Sequence, residues 1–308
     1  MKNHIRNIVV GIVERQHADP HLVSAIMLAE ELGATLHVVH AYPLPDPSLY
    51  PYLEVSVFSP DAIQQVHDRV QRDLEKQVQR ITSSNRVLCR PRPGPVALAI
   101  LNVADEVEAD LIIVGATNRG RIERAILGTT AQRVLRSARA PVLVSRQPGH
   151  SIRRVLLTTD LSDLSVKANE VGAEIGVMLA PGGHPELRAL FVAGFDLPLF
   201  VPLEPGGIEA AAGRQLDEYL GELSGPGNLT GKVRVGQPVA EILAEAEEWH
   251  ADLLVMGTYG RSGASRFLIG SVAESVLRRV QCSVLVVPNA AVESPTEEES
   301  TWGALATL

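Results

Sequence analysis

Short apolar runs rich in β-branched residues alternate along this chain with longer stretches whose apolar positions recur every three or four residues. The runs have the length of buried strands and the longer stretches the spacing of amphipathic helices. In the second half, Val155-Leu-Leu157 reads as a strand, Ser165 to Leu179 as a helix, and Leu187 to Val192 as a second strand. Gly213 to Leu223 is helical, Lys232 to Val235 is a third strand, and Val239 to Trp249 is a helix with Ile242, Leu243 and Ala246 on one face. Leu253 to Met256 is a fourth strand, Val272 to Val280 an amphipathic helix, and Ser283 to Val287 a fifth strand. Continuous apolar strands separated by helices predict an α/β fold with a parallel sheet covered on both faces. Ligands on such sheets sit outside the carboxyl ends of the strands, at the switch point. Asp160 and Gly257 both fall at such ends.

The pattern occurs twice. Asp110-Leu-Ile-Ile-Val-Gly115 lies 142 positions before Asp252-Leu-Leu-Val-Met-Gly257, and the register holds without a gap from Gly94 to Arg146 against Gly236 to Pro288. The starts match more loosely: Ile8-Val-Val10 resembles Val155-Leu-Leu157, and Leu36 to His40 resembles Leu187 to Val192. Self-similarity over that length marks a duplication. It predicts two domains, 1–148 and 149–289, joined near the turn-rich Gln147-Pro-Gly-His-Ser151. Residues 290–308, rich in Glu, Ser and Thr, read as a disordered tail.

The candidate chemistry lies after the fourth strand of the second copy, where Gly257-Thr-Tyr-Gly260 is followed by Gly270-Ser271. A glycine-bearing loop between a strand and a helix can present backbone N–H groups to a phosphate. Gly257 lacks the Cβ that would block close approach, and Gly260 suits a positive φ; either could equally serve an ordinary turn. Ser271-Val-Ala-Glu274 also reads as a capping box, as does Thr129-Thr-Ala-Gln132 in the first copy. Asp160 is open between a ligand contact and a helix cap. Arg261 and Arg266 could neutralise phosphates or be solvated surface charges.

Composition narrows the classes. The 308 residues are 45% apolar and 21% charged, with 28 basic and 36 acidic side chains and a net charge of −8. That balance argues against nucleic-acid or anionic-membrane binding. Two cysteines, Cys89 and Cys282, form no CxxC pair, and the nine histidines show no metal-ligand spacing. With no signal-peptide core or bilayer-length apolar run, a cytoplasmic protein is expected. Nothing matches a P-loop lysine, and no general base, metal site or catalytic residue is evident.

These residues together resemble the universal stress protein family, as a tandem pair. Its ATP-binding members carry G-x2-G-x9-G-[ST] after the fourth strand, matched by Gly257, Gly260, Gly270 and Ser271, and an Asp after the first strand, matched by Asp160. Val284-Leu-Val-Val-Pro288 resembles the family's last strand, and the likeness spans nearly all the chain except the tail. The resemblance implies two five-stranded parallel sheets with helices on both faces. It further implies an internal pseudo-dimer pairing Val142–Ser145 antiparallel with Val284–Val287, and leaves a homodimer open. It implies ATP, with Mg²⁺, contacted by Thr159, Asp160, Val192, Met256, Gly257, Gly260, Arg261, Gly270, Ser271 and Val272.

The first copy departs twice, with Val13 in place of Asp160 and Asn118 in place of Gly260. The expectation is therefore an ATP-binding stress protein, regulatory or sensing in role, with nucleotide mainly in the second domain. A slow ATPase is the alternative within that reading. A scaffold binding an apolar ligand or protein partner is the other, suggested by the Pro/Tyr-rich Tyr42–Tyr52 and by Phe195–Phe200.

Overall fold

The computed structural model describes residues 5–12, 19–43, 60–116, 127–194, 207–223, 228–258 and 269–291. The chain divides into two compact units: Met1–Ala138 with Val142–Ser151, and Arg139–Pro141 with Ile152–Leu308. In the first unit, strands β1 (Asn7–Ile12), β2 (Thr35–Tyr42), β3 (Val87–Pro93), β4 (Leu111–Gly115) and β5 (Val142–Ser145) alternate with helices α1 (Pro20–Leu32), α2 (Pro60–Gln79), α3 (Val96–Glu106) and α4 (Thr129–Ser137). In the second, β6 (Arg154–Thr159), β7 (Glu186–Ala193), β8 (Leu229–Val235), β9 (Leu253–Gly257) and β10 (Ser283–Val287) alternate with α5 (Asp163–Leu179), α6 (Gly207–Glu222), α7 (Pro238–Glu248) and α8 (Ser271–Leu277).

Pairing within each unit is parallel throughout. The first has the order β3-β2-β1-β4-β5, the second β8-β7-β6-β9-β10. The chain leaves β6 on one side toward β7 and returns through β9 on the other, so the switch point lies between the ends of β6 and β9. Right-handed crossovers in opposite directions put helices on both faces. The central strands are therefore buried on both sides: Val155, Leu156, Leu157, Leu253, Leu254 and Val255 have no exposure. That is why they are continuous Val/Leu runs rather than alternating ones.

The duplication is visible in hydrogen bonds. Asp110 Oδ2 accepts from the backbone N–H of Arg6 (2.7 Å) and Asn7 (2.9 Å), tying the start of β1 to β4. Asp252 Oδ2 does the same with Arg153 (2.8 Å) and Arg154 (2.9 Å). Gly94 and Gly236, with φ of 101° and 154°, donate to Tyr42 O and Ala193 O. Strands β1 and β6 start 147 residues apart, β2 and β7 151 apart, and β3 and β8 142 apart. The loose match between the two starts therefore reflects unequal connections, not unequal strands.

Two boundaries differ from expectation. Helix α6 begins at Gly207, not Gly213, because Gly207 to Gly213 contains three alanines and two glycines and carries little periodic signal. Strand β8 begins at Leu229, ahead of Lys232, and contains Gly231. A Cβ on Gly231 would meet Leu220 Cδ1 at 3.0 Å and Leu216 Cδ2 at 3.1 Å, so the glycine lets α6 pack close. Beside β7 and β8, Arg234 binds Glu241, Glu245 and Glu248 at 2.7–2.9 Å. Arg188 also binds Glu245 (2.7 Å) and lies 4.3 Å over the Trp249 ring.

Candidate functional site: a crevice at the switch point of the second unit

The carboxyl ends of β6, β7 and β9 open onto a cavity of about 760 Å³. Thr158, Thr159 and Asp160 reach it from β6, Leu190 to Gly194 from β7, and Met256, Gly257 and Thr258 from β9. Gly270 to Ala273, entering α8, line a third side. The N-terminal parts of α6 and α7 complete the wall with Ile208, Ala211, Gln215, Pro238 and Ile242. One wall is thus mostly apolar. The opposite one carries a carboxylate, hydroxyls and the start of a helix.

The residues expected from sequence come together here. Thr159, Asp160, Val192, Met256, Gly257, Gly270, Ser271 and Val272, distant in the chain, all line this one cavity. Gly260, Arg261 and Arg266 lie outside the described residues, as do Val13 and Asn118 of the first copy. The apolar loops Leu44–Tyr52 and Phe195–Phe200, and the tail from Val292 onward, lie outside them as well.

Asp160 sits in a tightly determined corner. Its Oδ1 accepts from Ser162 N (3.1 Å) and Ser162 Oγ (2.6 Å). Ser162 is the N-cap of α5 and accepts in turn from Ser165 N (3.3 Å). The alternative between ligand contact and cap is therefore not exclusive: Asp160 orients the capping serine and also faces the cavity. The next residue, Leu161, has φ of 64°. Leucine in the left-handed region costs about 1–2 kcal/mol. The conformation is held by Leu161 N–H donating to Thr159 Oγ1 (2.8 Å).

The capping-box reading of α8 is overturned. The N-cap is Gly270, with no side-chain cap, and Ser271 is already the first helical residue. It lines the cavity from an exposed position. Glu274 binds Arg278 (2.8 Å). The first copy repeats the arrangement, with Gly128 as the N-cap of α4. A serine at the first helical position already has helical backbone angles, which carry its side chain away from the N–H groups it would cap. Gly270 N–H donates to the Thr258 carbonyl (2.9 Å), and a Cβ on Gly270 would stand 3.4 Å from that oxygen. That hydrogen bond ties the start of α8 to the end of β9.

The corresponding end in the first unit is occupied by its own side chain. A Cβ on Gly115, the counterpart of Gly257, would fall 2.9 Å from His21 Cδ2 and Nε2. From β1 into α1 the register to the second unit is 147 residues, so Ala25 and Ala29 correspond to Gly172 and Gly176, the small residues of α5 that face Val255 and Val155. The same register places Ala168 opposite His21. Ala168 carries a methyl group at the position where His21 carries the imidazole that covers Gly115. Sequence reasoning did not reach this difference, because it depends on which residue of α1 leans over which strand end.

Other site features were missed as well. The α6 wall was hidden by the weak signal at Gly207–Gly213. Below the floor, Tyr219 and Asn169 are buried and hydrogen-bonded to each other (2.8 Å). Burial pushes the Tyr219 phenol above its ordinary pKa, against the pull of the polar side chains beside it, among them Asn169, which donates to it. A tyrosine and an asparagine 50 residues apart give no motif.

The architecture is a doubly wound α/β unit present twice, with the second copy holding a crevice at its switch point. The model of the universal stress protein family matches residues 4–146 and 151–288, and the chain belongs to that family. Universal stress protein E of Escherichia coli (strain K12) is 24% identical over 325 residues, covering 95% of this chain and 96% of its own. A universal stress protein of Methanocaldococcus jannaschii is 33% identical over 144 residues, 44% of this chain and 81% of its own. The crystal structure of a putative universal stress protein from Pseudomonas aeruginosa UCBPP-PA14 superposes with a TM-score of 0.68 at 20% identity, covering 99% of both chains, and shares the fold. No helix among the described residues is long and apolar enough to cross a membrane.

Proposed function

We propose that the second unit binds an adenine nucleotide, ATP with Mg²⁺, and that occupancy serves as a regulatory or sensing event in a stress response. The observation that carries this reading is the convergence of eight expected residues on one cavity at the switch point. The cavity volume lies within the roughly 300–1,000 Å³ typical of small-molecule sites.

The donor set fits a nucleotide. Apolar side chains of Leu190, Val192, Ile208 and Ile242 offer surface to a base, and Asp160 offers an acceptor for an amino or hydroxyl group. The N-cap of α8, Gly270, places no side chain over the first turn, and the N–H groups at a helix start suit phosphate oxygens. No cluster of three or more His, Cys, Asp or Glu suited to a metal occurs among the described residues, so the cation would enter on the phosphates. Its chemistry there would be charge neutralisation, while the chain's own residues bind and orient the nucleotide. The first unit binds weakly or not at all: His21 stands over Gly115, and the Asp160 carboxylate is replaced by Val13.

Native mass spectrometry of the purified full chain, followed by calorimetry with ATP and Mg²⁺, tests this. One adenine nucleotide per chain is expected. Two equal sites would refute the preference for the second unit, and no binding together with no thermal shift would refute the nucleotide reading. Phosphate release from the bound complex would separate a slow ATPase from a binding-only site.

A further inference from the structure

The two units end the same strand pair at different points. In the first, β1 and β4 are paired at four positions, from Ile8 with Leu111 to Gly11 with Val114. In the second, β6 and β9 are paired at three, the last being Leu157 with Val255. The offsets of 147 residues between β1 and β6 and 142 between β4 and β9 make Thr158 and Met256 the counterparts of Gly11 and Val114. The ladder of the second unit therefore stops one step short. Both residues of the missing pair line the cavity.

Side chains take over from the backbone at this point. Thr158 Oγ1 donates to the Val255 carbonyl (3.0 Å), the carbonyl of the last paired residue. A threonine hydroxyl on a backbone carbonyl competes with the ladder for it. The Thr158 carbonyl in turn accepts from Nδ2 of the fully buried Asn169 (3.2 Å). The first unit has Gly11 and Leu22 at these two places, neither with a side-chain donor.

The helix packed against these strands repeats the contrast. Helices α3 and α7 start 142 residues apart, so Ile100 corresponds to Ile242. A Cβ on Gly11 would fall against Ile100 Cδ1 and stand 2.9 Å from Cγ1, so Ile100, 1% exposed, closes onto the strand. Ile242 instead lines the cavity. At position 158 the strand carries a side chain where Gly11 cedes the space to isoleucine.

We propose that Thr158 is a positioning residue of the second unit's ligand site. Its hydroxyl, by taking the Val255 carbonyl, ends the β6–β9 ladder early, and its side chain keeps Ile242 off the strand, so the switch point stays open for a ligand. That the ligand is a nucleotide rests on the function proposed above; the open switch point does not.

Thr158→Val keeps the branched shape and loses the hydroxyl, and Thr158→Gly copies Gly11. Amide–amide nuclear Overhauser contacts in the full chain report the pairing, with Gly11 and Val114 as the internal reference. Wild type should show that contact and none between Thr158 and Met256. Thr158→Val and Thr158→Gly should gain the contact to Met256, and Thr158→Ser, which keeps the hydroxyl, should not. The contact present in wild type, or absent from both Thr158→Val and Thr158→Gly, would overturn the proposal. Calorimetry with ATP and Mg²⁺ supplies the second arm. Binding should weaken about ten-fold in Thr158→Val, the equivalent of one hydrogen bond, and further in Thr158→Gly, which also admits Ile242, while Thr158→Ser stays within about two-fold of wild type. Wild-type affinity in Thr158→Gly would overturn the positioning role. If the wild-type chain binds no adenine nucleotide, the nucleotide reading fails, and the pairing arm alone decides the role of Thr158.

Discussion

Asp160 separates two roles that one residue carries, and a pair of substitutions can measure each. Asp160→Val installs the side chain found at the matching place of the first unit, Val13. It removes the acceptor of both the Ser162 N–H (3.1 Å) and the Ser162 hydroxyl (2.6 Å). Leaving half-buried donors without that partner costs about 1–3 kcal/mol. A chain of this size shifts its Tm by about 2–4 °C per kcal/mol, so a fall of roughly 2–12 °C is expected. Asp160→Asn retains Oδ1 as an acceptor for both donors, and its Tm should stay within about 2 °C of wild type. The amide nevertheless loses the charge and the second acceptor oxygen. A charge-assisted hydrogen bond is worth about 1.5–3 kcal/mol, so ATP affinity should fall roughly ten- to a hundred-fold in Asp160→Asn. Differential scanning fluorimetry and calorimetry on both variants complete the measurement. Wild-type affinity in Asp160→Asn, with the melting loss confined to Asp160→Val, would show that the carboxylate serves only the cap of α5 and would refute its role toward a ligand.

Three further expectations follow from other parts of the structure. Ala168→His should place an imidazole over Gly257 as His21 covers Gly115, abolishing nucleotide binding while Ala168→Ser retains it; undiminished titration of the histidine variant would show that this space is not used. Arg234→Met should cost about 2–3 kcal/mol in urea unfolding at pH 7, since Glu245, with 3% of its side chain exposed, would lose one of its two ion pairs and keep that with Arg188. Burial pushes the Glu245 pKa up, but the hydrogen bonds from Arg234 and Arg188 outweigh it and the net value lies below the ordinary 4.5. A lowered carboxylate contributes stability above that ordinary value and loses it as pH falls, so the gap between wild type and variant should narrow on acidification below 4.5. For Cys89, burial and then the Glu75 carboxylate push the thiol from 9.0 up to about 11. A raised thiol contributes stability below 9.0 that is lost as pH rises toward about 11, so Cys89→Ala should soften the alkaline loss of stability, and the native thiol should alkylate far more slowly than that of the urea-unfolded chain.

The amino-acid sequence by itself determined the two-fold repeat, the alternation of strand and helix, and most of the cavity's rim. Strands buried on both faces must be continuous apolar runs, so β6, β9 and β10 are legible from composition over five or six residues. The glycines and Asp160 are legible because a motif fixes their spacing. The beginnings of α6 and β8 were not, since alanine and glycine carry no periodicity and Gly231 serves a helix packed over it. Only the tertiary structure decided that Asp160 holds the cap of α5, that Ser271 does not cap α8, and that Tyr219 and Asn169 stand under the floor. It also decided that His21 closes over Gly115. The physical reason is common to all of these. Periodicity records which face of an element is buried, whereas hydrogen-bond direction and steric occupancy depend on which side chains meet when residues tens of positions apart are brought to one sheet end.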